Sequence, residues 1–327
     1  MRHVMKNYFY LLTVSVTMFV MANFSNAQLR STKYAIVIHG GAGTISESMP
    51  DSIKEEYYVS LRKALQIGKD ILAKGGTSLD AVEKVLRYFE EDPEFNAGIG
   101  AVYTSAGTHE LDASIMDGRD LSCGAVAGVE HIAHPISLAR LVMEKSPHVL
   151  LAYGGAEEFA KKLGVGLVPN SYFDTPQRKK QLEEYMKEQK EGNHGTCGCV
   201  ALDEYGNLAA GTSTGGMTGK LPGRIGDSPL IGDGTYADNK TCAVSGTGWG
   251  EKFIKHAVAF NINALMAYKG LSLKEAVDTV IYKILQKDDG GVIAVDKDGN
   301  YAMEFNTSGM FRGAATSDGT FEVKIWK

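Results

Sequence analysis

Apolar and polar positions recur along this chain with two different periods, and the periods mark its elements. KYAIVIHGGAGT, from Lys33, is an apolar run that predicts a buried strand ending in a glycine loop, His39 to Gly43. From Ile53 to Ala73 apolar residues recur at helical spacing, and Gly75-Gly76 stops that helix. Thr77 or Ser78 can cap a second helix, Leu79 to Glu91, with Pro93 beyond it. FNAGIGAVYT and HELDASIMDG predict a strand pair around Ser105-Ala106-Gly107, and GAVAGVEHIAHP predicts another strand. Helices are expected near Ile136 to Lys145, Ala156 to Leu163, Glu251 to Tyr268 and Ser272 to Gln286. ALDEYGNLAA, from Ala201, and AVDKDGNYAM, from Ala294, share one layout: a strand, an acidic turn with Gly-Asn, and a returning strand.

Strands and helices therefore come in clusters, and the strands pair as hairpins. That argues against an alternating parallel sheet and for helices covering two stacked sheets, an α+β class. One segment stands apart. Pro176 to Asn193, PQRKKQLEEYMKEQKEGN, has almost no apolar residue to bury and is expected to be exposed and mobile. It stops at Gly195-Thr196, where a small-residue strand pattern begins at once.

At the N-terminus, Arg2 and Lys6 precede an apolar stretch of about fifteen residues, and Ser25-Asn26-Ala27 fits a small-x-small cleavage site. A signal peptide over residues 1–27 is expected, hence export to a periplasm or secretion. A membrane anchor would need ~20 apolar residues, and Gln28 is not the cysteine of a lipoprotein. The 327 residues allow one large domain or two small ones, and the formal charge of -5 argues against a nucleic-acid or anionic-membrane partner. Export permits disulfides, but Cys197 and Cys199 share a strand face and cannot readily bond each other, so buried free thiols are expected among Cys123, Cys197, Cys199 and Cys242.

Metal chemistry finds little support. The eight histidines form no HExxH or HxH pattern, no CxxC is present, and His131 and His134 stand in a strand context before Pro135. There is no GxSxG elbow for a serine triad, and HGGAGT resembles a phosphate loop only loosely. No catalytic cofactor is expected.

Gly195-Thr196 offers sharper chemistry. A cut between the two residues would give Thr196 a hydroxyl nucleophile and a free α-amine, whose pKa of ~7.7–8.0 leaves a neutral fraction to accept the hydroxyl proton. Gly195 tolerates the backbone that self-cleavage needs. Read alone, the junction is most simply a strand opened by a threonine. The hairpin changes that: a turn at Tyr205-Gly206 brings Thr214 within about a residue of Thr196, as a supporting hydroxyl. Arg224 and Asp227 are either a surface ion pair or a clamp for the carboxylate and ammonium of a free amino acid. Thr247 and Gly248 could form an oxyanion hole.

HGGAG, FNAGIGAV, ELDASIMDG, GTCGCVALD, TSTGGMTGKLPGRIGDSP and SGTGWGE occur in the order found in the plant-type L-asparaginase/isoaspartyl peptidase family of N-terminal nucleophile hydrolases, which the chain resembles from about Tyr34 to Arg312. The resemblance implies a four-layer αββα sandwich and a precursor that cuts itself before Thr196. Residues 28–195, with a mobile tail from about 176, would be the α subunit of one catalytic domain, and residues 196–327 the β subunit. Two such αβ heterodimers would pair. Thr196 matches the nucleophile, Thr214 the supporting hydroxyl, Arg224 and Asp227 the substrate clamp, Thr247 and Gly248 the oxyanion and substrate contacts, and Asn96 an active-site asparagine. The loop from Phe89 to Ile99 matches one that holds a structural sodium ion, here through the backbone of Phe89, Glu90, Asp92, Phe95, Ala97 and Ile99. HGGAG matches a stretch that influences maturation. The implied substrates are isoaspartyl dipeptides and L-asparagine, attacked through a threonine acyl-enzyme. Cys197 and Cys199 depart from the usual small aliphatic residues, and the export signal is atypical. The rivals are a glycosylasparaginase, which usually has Asp where this chain has Gly195, and an unprocessed secreted binding protein.

Overall fold

Strand β1, Ala35–Gly43, lies inside the larger of two sheets in this computed structural model, which describes residues 33–188 and 195–327. The expected signal peptide and residues 189–194 of the polar run lie outside the described residues. The larger sheet contains β2 (Leu111–Asp117), β3 (Cys123–Val129), β4 (Leu150–Ala152), β5 (Cys197–Leu202), β6 (Leu208–Thr214), β11 (Gly309–Thr316) and β12 (Phe321–Lys324). Its order is β12-β11-β1-β5-β6-β2-β3-β4. The smaller sheet holds β7 (Thr235–Ala237), β8 (Cys242–Gly248), β9 (Gly290–Asp296) and β10 (Tyr301–Phe305), in the order β10-β9-β8-β7.

Three apolar layers result. Helices α1 (Asp51–Ala73), α2 (Ser78–Glu91) and α3 (Pro135–Lys145) cover the outer face of the larger sheet. In α2, Val82, Val85, Leu86 and Phe89 recur at i, i+3, i+4 and i+7, so one stripe is buried against the sheet. Its N-terminus is capped as expected: the Thr77 side chain accepts the Asp80 amide at 3.1 Å. Alternate residues of β1, β5 and β6, such as Val37, Val200 and Ala210, meet Ala243, Ile293 and Val295 between the sheets. Helices α6 (Gly250–His256), α7 (Val258–Lys269) and α8 (Leu273–Thr279) close the far side. Helices α4 (Tyr153–Lys162) and α5 (Pro176–Glu188) lie in the segment before β5. The layers are αββα, each fully buried Val, Leu, Ile, Phe or Met in them contributing about 1.5–3 kcal/mol by leaving water.

Several expectations need correction. HGGAG is not a loop: β1 continues through it to Gly43, with a bulge between His39 and Gly41. FNAGIGAV is not a strand. It folds into tight turns with a 3₁₀ turn at Gly98–Gly100, because both glycines lie against carbonyls. A Cβ would sit 2.0 Å from Glu90 O at Gly98 and 1.9 Å from Phe95 O at Gly100. The helix expected from Glu251 to Tyr268 breaks at Ala257, which has φ 43°. The helix from Ser272 ends at Thr279 and continues as a π-turn, Val280–Ile284. The polar run, expected to be exposed, is helical over Pro176–Glu188 and buries Arg178. Strands β4, β7, β8, β11 and β12 had no expectation at all.

Candidate active site

The site forms where the ends of β1, β5, β6 and β8 meet two glycine-rich loops. Cys197 pairs with Ser213 in the β5–β6 hairpin, so the next residues out, Thr196 and Thr214, face each other. Thr196 Oγ1 donates to Thr214 Oγ1 at 3.3 Å, and Thr214 Oγ1 donates to Gly195 O at 3.1 Å. One hydroxyl thus connects the Thr196 side chain to the carbonyl of the peptide bond before it. Asn96 Nδ2 donates to the same Gly195 carbonyl at 2.6 Å. Asn96 is itself held: its Nδ2 reaches Gly216 O at 2.7 Å, and its Oδ1 accepts the Val102 amide at 3.0 Å. Two donors converge on one carbonyl, the arrangement that stabilises charge developing on oxygen.

The HGGAG segment lies directly against this junction. A Cβ on Gly41, which has φ +119°, would sit 3.2 Å from Gly195 Cα. His39 was not anticipated as a site residue. It is fully buried, its Nδ1 lies 2.9 Å from Thr196 O, and burial pushes its pKa down to about 3. The ring is therefore neutral, Nδ1–H donates to the carbonyl, and Nε2 accepts from Ser245 Oγ at 3.1 Å. Ser245 Oγ is 2.7 Å from Thr212 Oγ1, which is 2.5 Å from Thr235 Oγ1. This hydroxyl row pins β1 and β6, the strands on either side of β5, to the smaller sheet. It also explains the glycine in TCGC, since a Cβ on Gly198 would lie 2.1 Å from His39 Nε2 and 2.2 Å from Ser245 Oγ. The available signal was a histidine inside an apolar strand, which must find buried partners.

Cys197 and Cys199 point the other way, into the core under α1 and α2, as free thiols whose pKa burial pushes well up. Thr247, at the end of β8, accepts the Ala42 amide on its hydroxyl at 3.1 Å. It thereby ties β8 to the β1 segment that packs on Gly195. Gly248 has φ +146°, and a Cβ there would meet Asp289 O at 2.2 Å.

Arg224 and Asp227 do not form a surface ion pair with each other. Arg224 forks onto Glu251, with Nε to Oε1 and Nη2 to Oε2 both at 2.9 Å. Asp227 is buried, its Oδ2 has no hydrogen-bond partner among the described residues, and burial raises its pKa to about 7. The two side chains meet over Gly250, where a Cβ would lie 2.8 Å from Arg224 Nη2 and 2.9 Å from Asp227 Oδ1. A buried carboxyl with one unpartnered oxygen, beside a guanidinium, suits a small ligand carrying both charges. Glu251 was the unforeseen member, although SGTGWGE contains it. A cavity of about 500 Å³ opens at the junction, lined by Gly41, Asn96, Arg178, Gly195, Trp249 and Lys287 among others but by neither Arg224 nor Asp227.

The Phe89–Ile99 loop fits a hard cation by its chemistry. Gly98 and Gly100 close it so tightly that the Glu90, Pro93 and Phe95 carbonyls crowd the space where side chains would be. Backbone oxygens are the donors such an ion takes. His131 and His134 are engaged by carboxylates instead, His131 with Glu157 at 3.0 Å and His134 with Glu90 at 3.4 Å. Among the described residues no cluster of three or more His, Cys, Asp or Glu is arranged for a metal.

Comparison with known proteins identifies the family. Residues 32–325 match the protein family described as Asparaginase. The chain is 49% identical over 312 residues to the isoaspartyl peptidase of Salmonella typhimurium, covering 90% of this chain and 99% of that protein. It is 49% identical over 310 residues to the isoaspartyl peptidase of Escherichia coli, covering 90% and 97%. Against the isoaspartyl peptidase/L-asparaginase of Homo sapiens it is 45% identical over 299 residues, covering 89% and 95%. The αββα layers, the paired hydroxyls at Thr196 and these matches make the chain a member of the asparaginase family of N-terminal nucleophile hydrolases.

Proposed function

We propose that this chain is an amidohydrolase that cuts itself before Thr196 and then hydrolyses isoaspartyl dipeptides and L-asparagine. The observation that carries the reading is the path from Thr196 Oγ1 through Thr214 Oγ1 to Gly195 O, with Asn96 Nδ2 as second donor. In self-cleavage, Thr196 Oγ1 adds to the Gly195 carbonyl carbon. The C–N bond breaks, the Thr196 nitrogen takes the proton, and water hydrolyses the resulting ester. The free amine then accepts the Thr196 hydroxyl proton in each turnover. The hydroxyl attacks the substrate's side-chain carbonyl, ammonia or an amino acid leaves with that proton, and water frees aspartate.

Arg224 would hold the substrate α-carboxylate and Asp227 its α-ammonium, while Thr247 and Gly248 stabilise the oxyanion. The relatives named isoaspartyl peptidase support this substrate class over the glycosylated one. The Phe89–Ile99 loop is the proposed seat of a sodium ion, held by backbone oxygens of Phe89, Glu90, Asp92, Phe95, Ala97 and Ile99; bound there, the ion would stiffen the loop that presents Asn96. The proposed assembly is a dimer of αβ heterodimers, exported after loss of residues 1–27.

Purified protein on a denaturing gel tests the reading. A smaller fragment beginning Thr-Cys-Gly-Cys is expected, and an uncut band that persists on incubation would sink the self-cleavage step. β-Aspartyl dipeptide, asparagine and a glycosylated asparagine are then assayed side by side. Turnover of the last alone would move the chain to the glycosylasparaginase branch.

A further inference from the structure

The polar run before the nucleophile has one residue that behaves unlike the rest. Lys179, Lys180 and Lys187 are exposed, as a solvated helix face should be, but Arg178 is only 8% exposed. Its guanidinium satisfies itself on neutral groups: Nε donates to Gly100 O at 2.6 Å, Nη2 to Glu94 O at 3.2 Å and Nη1 to Gln181 Oε1 at 3.0 Å. A buried cation is costly unless its donors are met, so this placement demands those acceptors.

The two backbone acceptors bracket Asn96. Glu94 lies two residues before it and Gly100 four after it, and Asn96 is one of the two side chains that donate to Gly195 O. Arg178 therefore closes the loop that presents Asn96, with the rigid fork that Arg has and Lys lacks. The same loop is held at its other contact by Asn96 O, which accepts the Gly215 amide at 3.1 Å. Neither Glu94 nor Gly100 belongs to the proposed sodium set, so arginine and ion would brace one loop through different oxygens. Helix α5 is anchored a second time by Tyr185, whose ring lies 2.2 Å from where a Cβ on Gly219 would be.

We propose that Arg178 is a positioning residue: it sets Asn96 against the Gly195 carbonyl and so controls the rate of self-cleavage. Helix α5 is then a brace for the active-site loop rather than a spacer. The inference rests on the self-cleavage reading above.

The test is a double-mutant cycle on the full chain, with the cut before Thr196 followed over time on a gel. Arg178→Met is expected to slow cleavage about 10- to 100-fold, the scale of a misplaced catalytic group. Asn96→Ala should slow it more, and the double variant should be no slower than Asn96→Ala alone, because both act through one contact. Arg178→Lys, which keeps the charge without the fork, should fall between wild type and Arg178→Met. It carries the same cycle if Arg178→Met does not fold. Wild-type rates in the Arg178 variants, or losses that multiply with Asn96→Ala, overturn the inference and leave self-cleavage standing. A wild-type chain that never cuts overturns both.

Discussion

The β5–β6 and β9–β10 hairpins turn in the same way. Asp203 Oδ1 accepts the Tyr205 and Asn207 amides at 3.0 and 2.9 Å, and Asp296 Oδ1 accepts the Asp298 and Asn300 amides at 2.9 Å each. Gly206 has φ +80° and Gly299 φ +83°, the left-handed step that each turn requires. Their open ends are unrelated. The first ends on two facing hydroxyls, between β1 and β2 in the larger sheet. The second ends on Gly290 and Gly291, with Gly291 opposite Phe305 and a sheet edge alongside. A shared local code builds two equal turns. Only the surroundings set the two hydroxyls of one of them against the Gly195 carbonyl.

The largest expected effect breaks the functional end alone. Thr196→Ala should abolish the cut and all turnover while the thermal midpoint stays within a few degrees, because a small side chain leaves the strand pairing intact. Fragment formation in that variant would show that another residue starts the chemistry. Next in size is Gly198→Ala, which forces a methyl onto His39 and Ser245. Overpacking of this kind costs about 1–3 kcal/mol, and processing should slow because His39 leaves Thr196 O. Urea unfolding together with the gel assay checks both, and an unchanged midpoint would remove His39 from the account.

Asp227 supplies the pH prediction. Burial raises its folded pKa from 3.8 to about 7, so the folded state holds a proton that the unfolded state has lost. The stability associated with this group is fully present below about pH 4 and is lost as pH rises through about 7. Asp227→Asn should therefore raise the thermal midpoint at pH 8 but not at pH 4, and it should abolish binding of aspartate. A variant whose midpoint tracks wild type at both values would show that Asp227 is not strained by burial.

The smallest effect sharpens the twin turns. Asp203→Ala and Asp296→Ala each remove two turn hydrogen bonds from backbone amides, about 1–2 kcal/mol, and each removes a third: the buried Ser78 amide, at the start of α2, donates to Asp203 Oδ2 at 3.0 Å, and the exposed Asn300 Nδ2 donates to Asp296 Oδ2 at 2.8 Å. The buried helix cap should make the loss of Asp203 the larger by roughly 1 kcal/mol. Equal denaturant midpoints would mean that the helix contact carries no more weight than the Asn300 contact.

Legibility followed distance along the chain. Helix α2 with its Thr77 cap, and both hairpins, were readable because their causes lie within a few residues of each other. The pairing of Thr196 with Thr214 was readable for the same reason: a turn of known length fixes partners 18 positions apart. FNAGIGAV misled because its alternating small and apolar residues imitate a strand, whereas Gly98 and Gly100 serve close carbonyl contacts. The polar run misled because helix α5 is held by a buried arginine and not by an apolar stripe.

By itself, the sequence determined the class of layers, the two turns, the hydroxyl residue at a glycine junction and the ordered blocks that mark the family. Tertiary structure alone decided that Asn96 meets Gly195, 99 residues away, that His39 meets Thr196 across 157, and that Arg224 meets Glu251 across 27. Nearby residues are correlated by the backbone whatever the rest of the chain does. Contacts at these separations exist only once the sheets are stacked, because packing and the need to satisfy buried polar groups choose the partners.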